Sequence, residues 1–295
     1  MNSFICIIKF ATMAQQLTSF ITRLITEEDL KGAKAEDIKK QGLTQLTSID
    51  TTIIDTNFVD IKNQNYIIIT IIGQSRKGKS SFLNCLISTL TNQHTNPFKS
   101  CSIRESKGND VTLGMKYYTV NTDKKNYIFI DVQGISGTKS ESDPTILLYC
   151  YYISDLIILN CVSTLDTNTL KMIEPIATLK PKLALINKKP LLLFRLLDAD
   201  DYEDDPTLIK ECYELMMKDR DDQIHGVREC IKELFNLSYM DTPVVYTNRP
   251  SKEQLKLIDT DAKRFIEKEK TFLRAGCKII EAIKGYNIET DQAKK

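Results

Sequence analysis

The chain has 295 residues, and hydrophobic side chains make up 42% of it, which is enough to fill a sizeable core. Its 40 Lys and Arg residues face 39 Asp and Glu residues, so the formal net charge of +1 excludes recruitment of nucleic acid or anionic lipid by a global electrostatic field. The eight cysteines form no CxxC pair, which indicates a reducing, cytoplasmic location and argues against a zinc site.

The N-terminal part of the chain is polar and mixed, and it predicts a solvated, partly helical arm over residues 1–40. A short apolar stretch near the start is broken by Lys9 and has no basic leader, so we expect no secretory signal. The most apolar window, 146–162, contains Asp155, whereas a bilayer span needs about 18 uninterrupted apolar residues. We therefore expect no transmembrane segment, while peripheral membrane association stays open.

From Tyr66 onward, apolar runs alternate with amphipathic stretches. The predicted strands are 66–72, 115–120, 127–131, 156–161, 191–196 and 243–246. The predicted helices are 80–90, 145–153 and a stretch from about residue 167. Most of these strands are nearly continuous runs of Ile, Leu and Phe, as expected when helices cover both faces of a parallel sheet. The pattern predicts an α/β fold with a mostly parallel sheet, plus one antiparallel strand where the turn "NTDKKN" joins two neighbouring strands.

After Pro250 the sequence becomes helical and charged, with apolar residues at helical spacing. This pattern favours a C-terminal helix packed on the domain over an exposed interaction helix. The predicted apolar stripe consists of Ile258, Phe265, Phe272, Leu273, Ile279, Ile280 and Ile283.

The stretch "GQSRKGKS" lies between the first predicted strand and the first predicted helix. It has the spacing G-x-x-x-x-G-K-S at Gly73, Gly78, Lys79 and Ser80. Glycines allow the backbone N–H groups and the helix N-terminus to face phosphates, while the lysine reaches the β and γ oxygens and the serine coordinates Mg²⁺. Because the required strand precedes the motif and the required helix follows it, we predict a phosphate-binding loop and not a plain surface turn.

A second motif, "IFIDVQG", ends the strand predicted at 127–131. Asp131 would lie at the carboxyl edge of the sheet, where it can hold Mg²⁺ through water, and the Gly134 N–H can meet a γ-phosphate. A strand-terminal Asp before a turn would look the same. Its place about fifty residues beyond a phosphate loop favours a nucleotide switch.

The loop "RESKGNDVTLGMKYY" lies between the two motifs, and a hydroxyl in it could complete the Mg²⁺ shell. Thr112 is better placed than Ser106 because it closely precedes the strand. Threonine is also common at strand entries for its β-propensity, so both interpretations of Thr112 stay open.

In this order, "GQSRKGKS", "VTLGMKYY", "IDVQG" and "YYISDLIILNCVSTLD" resemble the GTPase domain shared by guanylate-binding proteins and atlastins, a branch of the dynamin superfamily. The resemblance implies a P-loop NTPase G domain over residues 41–285, with the arm before it and a tail over 286–295. It also implies hydrolysis of GTP to GDP at the β–γ phosphoanhydride with Mg²⁺, and nucleotide-dependent homodimers.

In that family an arginine in the phosphate loop acts as an internal finger, and the resemblance assigns this role to Arg76. It assigns the first switch to Thr112 and Gly114 and the second to Asp131 through Gly134. A guanidinium over the β–γ bridge neutralises developing charge, an effect of about 10³ to 10⁵ in rate. The alternative is a surface ion pair, but Ile135 follows Gly134 where a water-orienting Gln would stand, and this favours the finger.

Recognition of the base is the weakest part of the resemblance. The family has Arg-Asp at the end of a later strand, whereas here Arg195 is followed by Leu196, with Asp198 as the nearest carboxylate. Guanine selectivity needs a carboxylate that accepts both N1–H and N2–H. This departure therefore leaves open whether the site prefers guanine or adenine nucleotides. The later "PVVYTNRP" resembles the final nucleotide loop of the family and suggests Asn248 and Arg249 near the base or ribose.

Together these motifs define a candidate site for guanine nucleotide and Mg²⁺. The predicted nucleotide contacts are Gly73, Ser75, Arg76, Lys77, Gly78, Lys79, Ser80, Ser81, Gly134, Arg195, Asp198, Asn248 and Arg249. The predicted metal ligands are Ser80, Thr112 and Asp131, and the predicted catalytic residues are Arg76, Lys79 and Thr112. Two alternatives stay open: a nucleotide-binding signalling or scaffold module that hydrolyses little, and an ATPase on the same scaffold.

Overall fold

A computed structural model describes most of the chain from Tyr66 onward. The described residues are 66–98, 115–122, 125–132, 134, 147, 150–151, 153–162, 165–178, 189–197, 206–220 and 222–292. The predicted N-terminal arm lies outside them, and so do Thr112, Gly114, Gln133 and Asp198.

The described residues include six strands and seven helices with defined bounds. The strands are β1 (Tyr66–Gly73), β2 (Met115–Asn121), β3 (Asn126–Val132), β4 (Leu156–Val162), β5 (Leu191–Leu197) and β6 (Val244–Thr247). The helices are α1 (Lys79–Thr91), α2 (Thr167–Lys171), α3 (Glu174–Thr178), α4 (Pro206–Met217), α5 (His225–Leu234), α6 (Lys252–Lys268) and α7 (Lys270–Gln292). None of the helices in this part of the chain is both long and apolar enough to cross a membrane.

The strands form one sheet in the order β2-β3-β1-β4-β5-β6. Every neighbouring pair is parallel except β2 and β3, which confirms the predicted mostly parallel sheet with one antiparallel strand. Because the parallel strands run in one direction, their C-terminal ends share one border of the sheet, which we call the carboxyl edge. The antiparallel β2 starts at this edge, since Met115 pairs with Val132 at the end of β3.

Apolar side chains pack on both faces of the sheet, which explains why the strands read as continuous hydrophobic runs. On one face, Ile67, Ile69 and Ile71 of β1 pack in a cluster that includes residues of α1, α6 and α7. On the other face, Ile72 packs with residues of α2, α3, α4 and α5. The alternation of side chains along each strand therefore divides a single apolar run between two cores.

The C-terminal segment packs on the domain, as predicted, but it forms two helices and not one. Ser251 and Gln254 form a capping box that starts α6. The prediction that Leu273 belongs to the buried apolar stripe is wrong, because its side chain is 39% exposed, while Phe272 is buried. Adjacent helical positions point about 100° apart, so a helix that buries Phe272 turns Leu273 toward solvent.

Helices α4 and α5 were missed by the sequence pattern. Both carry many charged residues, and α5 begins after Ile224 without a side-chain cap that would mark its start. The helix predicted from about residue 167 is present as α2 and α3, and Asp166 caps the first of these by accepting the Thr169 N–H at 2.9 Å. Within the helix predicted at 145–153, the described residues Leu147, Cys150, Tyr151 and Ile153 are helical.

Candidate functional site

The predicted phosphate loop connects β1 to α1 in a tight turn. Gly78 precedes α1 with a left-handed backbone (φ 70°), and Arg76 also has a positive φ of 60°, which is uncommon for a residue with a side chain. At the start of the loop, a Cβ on Gly73 would lie 2.5 Å from the carbonyl oxygen of Asn160 in β4. The loop is therefore pressed against the end of a neighbouring strand, and glycine is required at its first position.

Lys79 lies where the loop meets the helix. Its side chain is buried, and its Nζ donates a 3.0 Å hydrogen bond to the carbonyl oxygen of Gln74. The lysine side chain thus links the last part of the loop to its first part, and its positive charge lies beside the loop backbone. This is the position from which an ammonium group can reach the oxygens of a bound phosphate.

Ser80 and Asp131 meet at the carboxyl edge. The Ser80 hydroxyl donates a 2.6 Å hydrogen bond to Oδ2 of Asp131, a carboxylate that is 1% exposed in β3. A hydroxyl and a carboxylate are hard oxygen donors, and Mg²⁺ in nucleotide sites is held by one or two such groups together with phosphate oxygens and water. The donor set of this pair therefore fits Mg²⁺.

Gly134, the glycine of the second motif, lies against the phosphate loop. A Cβ built on Gly134 would be 2.1 Å from Cα of Ser75, a distance that no real Cβ can adopt. The second predicted switch thus approaches the first half of the loop backbone to backbone.

The predicted finger residue, Arg76, has an exposed side chain at the outer rim of the loop. The neighbouring Lys77 is half-buried, and its backbone carbonyl accepts a 2.9 Å hydrogen bond from Nδ2 of Asn160. Residues held in sparsely populated backbone regions cluster at active sites and switch regions, and the left-handed Arg76 is such a residue.

Arg195, predicted to lie near the base, has a side chain that is only 1% exposed. Its guanidinium carbon lies 4.2 Å from the ring centre of Phe82 and 5.6 Å from that of Phe272. Burial lowers the pKa of Arg195 to about 9, so the group keeps its charge at neutral pH. Its hydrogen bonds go to Thr247 and Asn160.

The remaining predicted base contacts follow the last two strands. β5 continues beyond Leu196 to Leu197, which pairs with Val162 and Thr247, and Asp198 is the next residue in the chain. Asn248 and Arg249 follow the end of β6 directly, with Asn248 half-buried and Arg249 exposed. The Asn248 N–H donates to the Thr271 hydroxyl at 3.4 Å, which ties this loop to α7.

Sequence reasoning missed one residue of this region, Asn160. It is fully buried in β4, and its backbone lies in close contact with Gly73. Its side-chain amide donates a hydrogen bond to the Lys77 carbonyl in the loop. The signal that could have identified it is an amide inside the otherwise apolar strand "LIILNCV", because buried polar groups are kept only where they have partners.

Comparison with known proteins agrees with this geometry. Residues 44–189 match the family model for the guanylate-binding protein, N-terminal domain. No curated protein matches the chain. The matched range includes β1 through β4 and the phosphate loop, and the matched domain is the large GTPase domain of that family, which implies binding of a guanine nucleotide. Residues 44–189 are therefore identified as a guanylate-binding protein N-terminal domain.

Proposed function

We propose that the chain is a Mg²⁺-dependent GTPase that binds GTP between the phosphate loop and the second switch. The observation that carries the proposal is the 2.6 Å hydrogen bond between Ser80 and Asp131, directly beside the loop that Lys79 crosses. It places the hydroxyl and the carboxylate of two separate motifs in contact, as a shared metal site requires.

The phosphate loop supplies binding in this proposal. Backbone N–H groups from Ser75 to Ser81 and the N-terminus of α1 face the phosphates, and Lys79 releases the Gln74 carbonyl to meet the β and γ oxygens. Ser80 and Asp131 would hold Mg²⁺, with Thr112 as a further ligand. The metal neutralises phosphate charge when bound.

Arg76 supplies the catalytic charge. Water attacks the γ-phosphorus, the bond to the β–γ bridging oxygen breaks, and GDP and inorganic phosphate leave. Negative charge grows on the bridging oxygen as that bond breaks, and the exposed guanidinium of Arg76, in the loop that holds the phosphates, would swing over it. The Gly134 N–H donates to the γ-phosphate.

Guanine recognition falls to Asp198 in this proposal, since it follows β5 directly at the carboxyl edge. A carboxylate that accepts from N1–H and N2–H of guanine has no matching donors on adenine. Asn248 and Arg249 lie next along that edge, after β6, and would pack near the base or ribose.

We also propose that nucleotide binding brings two copies of the chain together and that the protein works in the cytoplasm. The family match supports the first statement, and the free, buried thiols of Cys85, Cys150, Cys161 and Cys230 support the second. A mass measured by light scattering, with and without a non-hydrolysable GTP analogue, tests the dimer: doubling with the analogue is expected, and an unchanged mass contradicts it.

The second candidate function is a nucleotide-binding module that hydrolyses little. The Leu196 that replaces the expected Asp after Arg195 favours it, because that substitution departs from the family pattern. The experiment is single-turnover hydrolysis of GTP and ATP with and without Mg²⁺. Turnover of GTP that needs Mg²⁺ supports the GTPase, binding without turnover supports the module, and faster turnover of ATP supports the ATPase alternative.

A further inference from the structure

We infer that Arg195 is a positioning residue of the phosphate loop. It holds the side-chain amide of Asn160 so that this amide fixes the Lys77 carbonyl and turns the Gly78 N–H toward the bound phosphate. The inference rests on the proposed function, because the phosphate is that of the nucleotide. In this inference Arg195 orients the Asn160 amide that contacts the phosphate loop, in place of the predicted contact with the base.

The first step is the burial of the Arg195 cation. A buried guanidinium needs acceptors for its N–H groups, and no ion pair of the described residues includes it. Its Nε and Nη2 donate to the hydroxyl of Thr247 at 3.1 Å and 2.7 Å, and its Nη1 donates to Oδ1 of Asn160. The rings of Phe82 and Phe272 and these two acceptors together hold the guanidinium in place.

The second step is the orientation of the Asn160 amide. An arginine can only donate, so the amide must turn its oxygen toward Arg195. Its NH₂ group then faces the loop and donates to the Lys77 carbonyl at 2.9 Å. Arg195, which can only donate, and the Lys77 carbonyl, which can only accept, therefore select the same one of the two flipped forms of the amide.

The third step is the geometry of the peptide between Lys77 and Gly78. The described residues contain no cis peptide bond, and in a trans peptide the C=O and the following N–H point in opposite directions. Because the Lys77 carbonyl points toward Asn160, the Gly78 N–H points away from Asn160. That is the direction in which a phosphate loop needs a donor.

Two substitutions separate this role from general support of the core. Arg195→Met removes the cation and keeps an apolar side chain of similar length. Asn160→Asp keeps an acceptor for Arg195 but loses the NH₂ donor to the Lys77 carbonyl. The matched control is Arg228→Met, since Arg228 is also 1% exposed and bonds Asp222 and the Met216 carbonyl away from the loop.

The readout is trypsin cleavage after Lys77 in the nucleotide-free full chain, followed by mass spectrometry. Cleavage tracks the population in which the loop is open, and loss of one hydrogen bond raises that population about tenfold. We expect this increase for Arg195→Met and Asn160→Asp and a wild-type rate for Arg228→Met. Equal increases for the two arginine variants, or wild-type cleavage of Asn160→Asp, would overturn the inference. If Arg195→Met does not fold, Asn160→Asp decides alone.

A second arm measures the affinity for a fluorescent GTP analogue with Mg²⁺. We expect Arg195→Met and Asn160→Asp to bind about tenfold more weakly than the wild type, and Arg228→Met to bind equally well. Unchanged affinity in both loop variants contradicts the inference. If the wild type binds neither this analogue nor its ATP counterpart, the proposed function fails, while the trypsin comparison still decides whether Arg195 holds the loop.

Discussion

Ser80 at the start of α1 and Asp131 near the end of β3 are joined by a hydrogen bond of 2.6 Å across 51 residues of sequence. The parallel pairing of β1 with β3 makes this contact possible, because it brings the loop after one strand beside the last residues of the other. The two motifs that were found separately in the sequence therefore lie in contact in the structure.

The first prediction concerns this pair. Ser80→Ala removes the hydroxyl that would bind Mg²⁺ and leaves Asp131 without that donor. We expect the Mg²⁺ concentration needed for half-maximal binding of a GTP analogue to rise at least about tenfold, since even outer-shell partners of a metal are worth that much. Titration of Mg²⁺ at a fixed concentration of analogue measures it.

Ser88→Ala is the control for that experiment, because Ser88 is buried in the same helix and bonds the Thr95 carbonyl at its far end. It should lose some stability and keep the wild-type Mg²⁺ dependence. If the two serine variants show the same Mg²⁺ curve as the wild type, Ser80 is not a ligand.

The second prediction concerns Arg76. Arg76→Ala removes the guanidinium that offsets charge in the transition state, and we expect single-turnover hydrolysis of GTP to slow by about 10³ to 10⁵ while affinity changes little. Lys77→Ala is the neighbouring control, because it removes a positive side chain and keeps the carbonyl that Asn160 holds. Hydrolysis by Arg76→Ala at the wild-type rate would show that the guanidinium is not a finger.

The third prediction concerns the base. Asp198→Asn replaces a double acceptor with an amide, so we expect affinity for GTP to fall by about 10- to 100-fold and affinity for ATP to stay the same. Competition between the two nucleotides for a fluorescent analogue gives the ratio. Asp204→Asn, in the same acidic run, should change neither affinity, and an unchanged ratio in Asp198→Asn would rule out this carboxylate as the guanine contact.

The fourth prediction concerns the contact between Gly134 and Ser75. Gly134→Ala would place a methyl group 2.1 Å from Cα of Ser75, so the second switch must move away from the loop. We expect slower hydrolysis and weaker binding of the triphosphate, with less effect on the diphosphate, because the lost N–H contact is to the γ-phosphate. Isothermal titration with GDP and a GTP analogue separates the two effects.

Gly226→Ala is its control, since a Cβ there meets no atom within 4 Å. Gly226 lies in α5, where alanine is favoured over glycine by about 1 kcal/mol, so the variant should be as stable as the wild type or slightly more so. A Gly134→Ala protein that binds both nucleotides like the wild type would mean that the close approach has no part in binding.

The parts of the fold that were predicted are those whose signal is local. The strands and α1 follow from runs of apolar residues, and the phosphate loop follows from the spacing of its glycines and lysine. Helices α4 and α5 were missed because their apolar positions are separated by many charges and α5 has no side-chain cap at its start. Leu273 was wrongly predicted to be buried, because the sequence does not show which side of α7 faces the core.

The part of the site that was not predicted depends on strand register. The sequence alone does not show that Asn160 pairs with both Gly73 and Arg195 in neighbouring strands, or that Arg195 points between Phe82 and Phe272. Shifting β5 by one residue would turn Arg195 to the opposite face of the sheet. The resemblance to a known family identifies which motifs are present, whereas the direction of this side chain requires the packed structure.

The boundary of the family match falls between the two residues that support the loop. Asn160 lies within residues 44–189, while Arg195 lies beyond them in β5. A chimera of two relatives joined at residue 189 would take its asparagine from one parent and its arginine from the other. Such a hybrid would keep the phosphate loop and the second motif unchanged. The support of its loop would nevertheless depend on whether the second parent has an arginine at the position of Arg195.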